Sequence, residues 1–373
     1  MPVEPIRVLW LYGAPSAGKT TTGWEIYRSL TFPARGYLDI DQLGMCYPAD
    51  ADDPQRDRLK ASALGGVLGN IHAYGARLVI VSGILDPALL GLYQCEAPTA
   101  TFTLCRITAT ATELRRRHLA RGPHPVPLAE VVDLAKRLDD AGHEHVTVDT
   151  TLQRPTQAAE RLVQLTGLST TAGAPADRTA PPLTSSHAPG QVLFVIGPPA
   201  VGKSTIGWSL FTRSQTRWTT GFVDLAQIGF LQPAPGADPD HHRLKAANLA
   251  ALWSTFHASG ARALIVNGNV PDRHVLRLYQ QALPAADIVA VRLRAGPLEL
   301  ARRLTRKARG YGVKLPGDQA IPWSAEQRRR RLHALLVQAN ALDGQQPGHA
   351  VVDTDNLTVE QAVHRAAEVV GWL

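Results

Sequence analysis

Unbroken apolar runs recur along the chain, each followed by a turn and then by a stretch of helical spacing. In the first half they fall at 6–12 (IRVLWLY), 36–40, 77–82, 101–107 and 145–149; in the second half at 191–196, 221–225, 262–267, 287–293 and 349–353. A short run without polar interruption suits a strand buried on both faces, and strands that alternate with helices predict a parallel sheet covered on both sides. The first helix of each half is predicted to open at Thr20 and at Ser204, directly after a glycine-rich turn. Ligands of such sheets sit at the carboxyl ends of the strands.

The two halves are copies of one another. RVLWLYGAPSAGKTTTGW (7–24) matches QVLFVIGPPAVGKSTIGW (191–208), and GYLDIDQLG (36–44) matches GFVDLAQIG (221–229). DRLKASAL, GARLVIVSG, ELRRRHLARG and HVTVDTT also have counterparts in the same order. A unit this long is a duplicated domain rather than a solenoid repeat. Between the copies, residues 169–190 are rich in Pro, Ala, Ser and Thr, with Leu183 the one large apolar residue, and predict an extended linker. The expected architecture is therefore α/β: two three-layer αβα domains with parallel sheets in tandem, at 1–168 and 191–373, each long enough for its own core.

Composition narrows the class. A hydrophobic content of 45% and a charged content of 19% fit a globular chain and argue against disorder. No apolar run is long enough for a membrane helix. Glu4 precedes the first apolar run, which leads into a glycine loop, so that run is expected to be a strand rather than a signal peptide. The three cysteines, Cys46, Cys95 and Cys105, are odd in number and form no CxxC; small buried residues in a reducing cytoplasm are expected. The net charge is +7, but it is unevenly placed: residues 1–168 hold 17 Lys+Arg against 18 Asp+Glu, and residues 191–373 hold 21 against 13. The basic excess of the second copy implies a more anionic partner or a more basic solvated face.

The glycine turns carry the clearest chemistry. Gly13-Ala-Pro-Ser-Ala-Gly18-Lys19-Thr20 and Gly197-Pro-Pro-Ala-Val-Gly202-Lys203-Ser204 both fit G-x(4)-G-K-[ST]. Glycine lets consecutive N–H groups converge on a phosphate, and the helix start adds its positive end. Ser16, Ala17, Gly18 and Thr21, with Ala200, Val201, Gly202 and Thr205, complete the two cradles. Lys19 and Lys203 are expected to reach the β- and γ-phosphates of ATP, and the Thr20 and Ser204 hydroxyls to ligate Mg2+.

Other candidates lie at neighbouring strand ends. Asp39 and Asp41 follow the second strand; Asp224 answers Asp39, whereas Ala226 stands in place of Asp41. A carboxylate there can orient a hydroxyl and take its proton, or can simply cap a helix. The segments 113–125 and 299–316 bring arginines into Gly/Pro loops, from which Arg117, Arg121, Arg303 and Arg309 are expected to clamp a transferring phosphoryl group, unless they only solvate a helix face. Arg58 and Lys60, like Arg243 and Lys245, open the helix after strand two and could hold an anionic acceptor, or mark a surface helix start. Strand three ends in Ser82-Gly83 and Asn267-Gly268, without the acid often found there. Trp24 and Trp208 are expected to pack in the core, and Arg328–Arg331 to form a solvated helix face.

Together, the loops, the acid after strand two, the ELxxR…RG segments and the late VDT resemble the adenylate-kinase-like small P-loop kinases: shikimate kinase, gluconate kinase and the chloramphenicol phosphotransferase group. The resemblance covers nearly all of both copies. It implies ATP and Mg2+ as cofactors, transfer of the γ-phosphoryl to a hydroxyl of a small molecule, and a cytoplasmic enzyme. YLDID is similar to the DxD of shikimate kinase, which implies Asp39 near the ion and Asp41 on the acceptor. FVDLAQIG looks more like the single-acid pattern of the chloramphenicol group, which implies Asp224 as base. The loops after Asp149 and Asp353 would border the adenine, with Arg154 in the first copy alone. Two other readings stay open: a nucleotide or nucleic-acid-end kinase in the second copy, and a nucleotide-dependent switch or scaffold with one non-catalytic copy.

Overall fold

A computed structural model describes residues 4–31, 34–121, 126–168, 181–236, 238–309, 315–317 and 323–371. The first copy runs β1 (Ile6–Tyr12), α1 (Lys19–Ser29), β2 (Arg35–Asp39), α2 (Ile40–Leu43), β3 (Cys46–Tyr47), α3 (Asp57–Ala73), β4 (Leu78–Ser82), α4 (Leu90–Glu96), β5 (Ala100–Thr108), α5 (Ala111–Ala120), α6 (Leu128–Asp140), β6 (Val146–Asp149) and α7 (Pro155–Leu165). The second runs β7 (Gly190–Ile196), α8 (Lys203–Ser214), β8 (Thr220–Asp224), β9 (Leu231–Gln232), α9 (His242–Ala258), β10 (Ala263–Gly268), α10 (Arg273–Ala282), β11 (Ala286–Arg294), α11 (Pro297–Ala308), α12 (Ala325–Gln345), β12 (Ala350–Asp353) and α13 (Val359–Glu368).

Each sheet has six strands, ordered β6-β5-β1-β4-β2-β9 and β12-β11-β7-β10-β8-β3. The five strands expected from each copy are parallel, and the glycine loop of each follows the central one. Strands β1 and β7 are buried almost throughout because helices cover both faces. The sixth strand departs from the all-parallel expectation. β9 pairs antiparallel with β2, and β3 pairs antiparallel with β8.

The exchange changes which residues belong together. Unit 1 comprises Met1–Gly44, Lys60–Pro181 and Phe230–His241; unit 2 comprises Met45–Leu59, Pro182–Gly229 and His242–Leu373. Each copy therefore gives the segment after its second strand to the other unit. Contiguous domains at 1–168 and 191–373 miss this exchange.

The exchanged segments are anchored. In unit 1 the Tyr37 N–H donates to the Phe230 carbonyl at 3.2 Å, and Arg35 Nη2 donates to Gln232 Oε1 at 2.6 Å. The Phe230 ring lies 4.8 Å from Trp24 and 6.0 Å from Tyr37, centre to centre. In unit 2 the Phe222 N–H donates to the Met45 carbonyl at 2.8 Å, and Tyr47 lies edge-on to Phe211 at 6.0 Å.

Three smaller expectations are revised. The stretch 169–180 of the anticipated linker lies outside the described residues, but Ser186 is buried and Trp253 Nε1 donates to the Ala188 carbonyl, so 182–189 belongs to unit 2 and Gly190 is already strand. Cys95 is exposed, whereas Cys46 and Cys105 are buried. Trp24 packs against Tyr27 and Tyr37, but Trp208 is 48% exposed beside Phe211 and Phe222, on a helix face that turns outward.

Candidate functional site

Both glycine loops fold alike at the ends of β1 and β7. Gly18 (φ 101°) and Gly202 (φ 108°) take left-handed conformations just before their helices, as do Ser16 (φ 67°) and Ala200 (φ 62°). Gly13 is constrained further: at φ 147° a Cβ there would lie 2.1 Å from the Ile107 carbonyl oxygen. Gly13→Ala is expected to cost unit 1 roughly 3 kcal/mol from strain and overlap together, read as a lower midpoint of denaturant unfolding at unchanged slope.

The loop lysines are turned inward. Lys19 Nζ donates to the Ala14 carbonyl at 2.8 Å, and Lys203 Nζ to the Gly197 and Pro198 carbonyls at 2.8 Å each. Burial lowers both ammonium pKa values to about 8, against the opposing pull of Asp41 and Asp39 in unit 1 and of Asp224 in unit 2. The helix-start residues differ in exposure: Thr20 is half-buried, whereas Ser204, Thr21 and Thr205 are exposed. Ala17 and Val201 are buried at the base of the loops.

Asp39 and Asp224 end β2 and β8 and do two things at once. One oxygen of each caps a short turn, Asp39 Oδ1 accepting from the Asp41 N–H at 3.0 Å and Asp224 Oδ1 from the Ala226 N–H at 2.9 Å. The other oxygen of Asp39 accepts from Thr20 Oγ1 at 3.5 Å, so the residue that caps the turn also reaches the start of the loop helix. Burial, then the neighbouring Asp41, raises the Asp39 carboxyl to about 7, outweighing its hydrogen bond from Asp41 and the charge of Lys19. Asp41 is half exposed and pairs with Lys60 Nζ at 3.4 Å. The Lys60 stem crosses Gly44, where a Cβ would lie 2.8 Å from its Cγ; the Lys245 stem crosses Gly229 in the same way, at 2.4 Å from its Cε. Arg58 does not join Lys60. It is exposed, and its Nη2 donates to the Asp52 carbonyl at 2.8 Å. Arg243 is half-buried at the start of α9.

The arginine segments sort into two kinds of residue. Arg117 is committed to the protein: Nε donates to Glu113 Oε1 at 2.7 Å, Nη1 to Thr150 Oγ1 at 2.9 Å and to the Ala17 carbonyl at 3.3 Å, and Nη2 to the Thr150 carbonyl at 2.7 Å. Arg303 repeats the set with Glu299, Thr354 and the Val201 carbonyl. These two brace the back of each loop against the turn after the last strand, because a glutamate four residues earlier aligns the guanidinium. Hydrogen bonds from Arg116 and then Arg117 hold Glu113 down to about 2, and those from Arg302 and then Arg303 do the same for Glu299.

Arg121, four residues beyond Arg117, instead acts on Lys19, its charge lowering the lysine pKa. Lys307 acts in the same way on Lys203. Lys307 stands eight residues after Glu299, as Arg121 stands eight after Glu113. Arg309, expected to clamp the phosphoryl group, is exposed at the end of α11. Counting from the paired glutamates finds Lys307. The loop stretches 122–125 and 310–314 lie outside the described residues. Arg154 is exposed at the start of α7, its N–H donating to Gln157 Oε1 at 2.9 Å. Arg328, Arg329 and Arg330 are exposed on α12, and Arg331 stacks on Trp323 at 4.4 Å.

Among solved structures, the fold is similar to a sugar kinase from Janibacter sp. HTCC2649 (16% identity, 44% of this chain, 97% of that chain, TM-score 0.35). It is also similar to the tunicamycin resistance protein of Deinococcus radiodurans (20%, 49%, 97%, TM-score 0.34). A third is the shikimate kinase of Acinetobacter baumannii (19%, 44%, 95%, TM-score 0.33). Each spans about half of this chain. No protein-family model and no curated protein matches the sequence.

Proposed function

We propose that the chain is a tandem P-loop phosphotransferase, each unit binding ATP·Mg2+ and moving the γ-phosphoryl to a hydroxyl of a small molecule. The observation that carries this reading is the duplicated cradle: a left-handed glycine before the helix, a lysine curled into the loop onto its carbonyls, and a carboxylate at the end of the adjacent strand. The residues fit both groups. Ser16 Oγ is buried in the unit 1 loop without a partner, as a phosphate-facing hydroxyl would be before its ligand arrives. Thr20 and Asp39 form an oxygen pair suited to a hard cation. Thr20 and Ser204 would hold Mg2+, which when bound offsets phosphate charge.

The remaining chemistry belongs to the chain. Lys19 and Lys203 would release their loop carbonyls and move onto phosphate oxygens, where a pKa of about 8 rises again beside the anion. Asp39 and Asp224 would orient the acceptor hydroxyl and accept its proton. Arg121 and Lys307 would face the transferring group, while Arg117 and Arg303 keep the loops in shape. Lys60 and Lys245 would border the acceptor, with Asp41 beside the first of them only. Incubation with ATP, Mg2+ and a metabolite pool should yield a product one phosphate heavier, and its formation should fall steeply in the Lys19→Ala/Lys203→Ala chain.

The Asp39 shift sets a pH test. A carboxylate whose pKa is raised to about 7 accepts protons only once deprotonated. In a Lys203→Ala chain, kcat/KM is therefore expected to rise as pH increases from 6 to 8 and then level off. Asp39→Asn should flatten that limb as well as lower it; an unchanged limb would assign the titration to another group.

The charge of unit 2 supports a second reading, in which its acceptor is a nucleotide or a nucleic-acid end. The exposed arginines of α12 would then meet phosphates. Oligonucleotide binding that weakens steeply with salt would favour this, and no binding at low salt would dismiss it. A nucleotide-dependent switch with one silent unit is distinguished by which single loop variant still transfers phosphate.

A further inference from the structure

In unit 2, helix α9 rests on the turn that follows Asp224, and two amide side chains are anchored there. Gln227 closes the turn: its N–H donates to the Asp224 carbonyl at 2.9 Å, while Asp224 Oδ1 caps the Ala226 N–H. From the turn its side chain reaches the end of the arginine segment, where Nε2 donates to the Pro316 carbonyl at 3.0 Å. Asn248 stands three residues after Lys245 on α9, and its Nδ2 donates to the Ile228 carbonyl at 2.8 Å. The Lys245 stem crosses Gly229, so the helix face that carries Lys245 and Asn248 lies on residues 228–229.

Each amide commits its NH2 group to a backbone carbonyl, and that fixes which atom is the oxygen. Gln227 Oε1 and Asn248 Oδ1 are left without a hydrogen bond, although Gln227 is 4% exposed and Asn248 is fully buried. Buried oxygens are seldom left so. The fold does not require them. In unit 1 the counterpart of Gln227 is Gln42, which is half-buried, and Ala63 stands where unit 2 has Asn248. The same helix therefore packs with a methyl group in that place.

An amide oxygen only accepts. It repels phosphate and carboxylate oxygens, and a group that meets it must bring an O–H or an N–H. Lys245, on the same helix face as Asn248, disfavours a protonated amine. Neutral hydroxyls satisfy both conditions.

We propose that Gln227 and Asn248 are specificity-determining residues that select a neutral polyol as the acceptor of unit 2, its hydroxyls donating to their two oxygens. A further hydroxyl of the same molecule reacts: its oxygen bonds to the γ-phosphorus as the bond to ADP breaks, and its proton passes to Asp224. The assignment rests on the phosphotransferase reading above, and it opposes a nucleotide or a nucleic-acid end as acceptor.

The test passes a metabolite pool over anion- and cation-exchange resins. The neutral, anionic and cationic fractions are then incubated separately with ATP, Mg2+ and the full chain carrying Lys19→Ala, so that unit 2 reports. A product one phosphate heavier should arise from the neutral fraction. Product from a charged fraction alone overturns the proposal while the phosphotransferase reading stands. No product from any fraction overturns that reading for unit 2, and the proposal with it. With the acceptor purified from the neutral fraction, Asn248→Ala, which installs the residue of unit 1, should raise its KM about tenfold and leave the KM for ATP unchanged. An unchanged acceptor KM overturns the proposal, as it would if only water met the two oxygens. A rise of equal size in both KM values overturns it too, since that is a packing defect. Should the alanine variant not fold, Gln227→Met, of similar volume and without the oxygen, is read by the same split.

Discussion

Lys19→Ala and Lys203→Ala, combined in one chain, are expected to lower ATP-dependent phosphoryl transfer by roughly 10³-fold while leaving the fold intact. The lysine is the one mobile cation inside each loop, and its Nζ now rests on loop carbonyls at 2.8 Å, within a side-chain swing of where phosphates would lie. Each single variant should silence its own unit, so the residual rate of each reports the share of the other. Stability should move the opposite way. With the folded-state pKa near 8 and the unfolded value at 10.5, the unfolded chain binds more protons between those pH values. Stability of the free protein therefore rises as pH climbs from about 8 to 10.5, and the penalty of the buried charge is present in full below 8. Removing the lysines removes that penalty, so at pH 7 the ligand-free double variant should melt no lower than the parent. Transfer at the parental rate from a folded double variant would end the assignment of the transfer to the two glycine loops.

What could be read from the sequence follows from how local each feature is. The loops were legible because glycine conformation, helix start and lysine lie within eight consecutive residues. The parallel strands were legible because burial on both faces leaves an unbroken apolar run. The bracing role of Arg117 and Arg303 was not, since it depends on Thr150 and Thr354, which are distant in sequence and brought close by the last strand. The position of Lys307 was available by counting from Glu299, but lysine in place of arginine hid the correspondence.

The exchanged strands were illegible for a different reason. Cys46–Tyr47 and Leu231–Gln232 are two residues long and show no periodicity, and their partners lie in the other copy. A contiguous repeat suggests that each copy folds by itself, whereas unit 1 draws on Phe230–His241. A fragment comprising residues 1–168 leaves β2 as an open edge with unpaired backbone groups. It also strips Phe230 from the aromatic group of Trp24, Tyr27 and Tyr37, and it removes Gln232 from the buried Arg35 guanidinium, whose pKa burial already lowers. Losing a packed phenylalanine alone costs about 3 kcal/mol, and the strand hydrogen bonds and the arginine partner add to it. The fragment is therefore expected to be destabilised by about 3–5 kcal/mol relative to the same unit in the full chain, a large part of a domain's total stability. Denaturant unfolding followed by tryptophan fluorescence should show it as an early transition or as aggregation. Phe230→Ala in the full chain should reproduce most of the loss while leaving the Lys203-dependent activity in place. If the fragment unfolds at the midpoint of unit 1 in the full chain, the exchanged segment contributes no stability. The expected result also means that the two units are best assayed apart by loop-lysine substitution, because cutting the linker removes a strand from each sheet along with its neighbour.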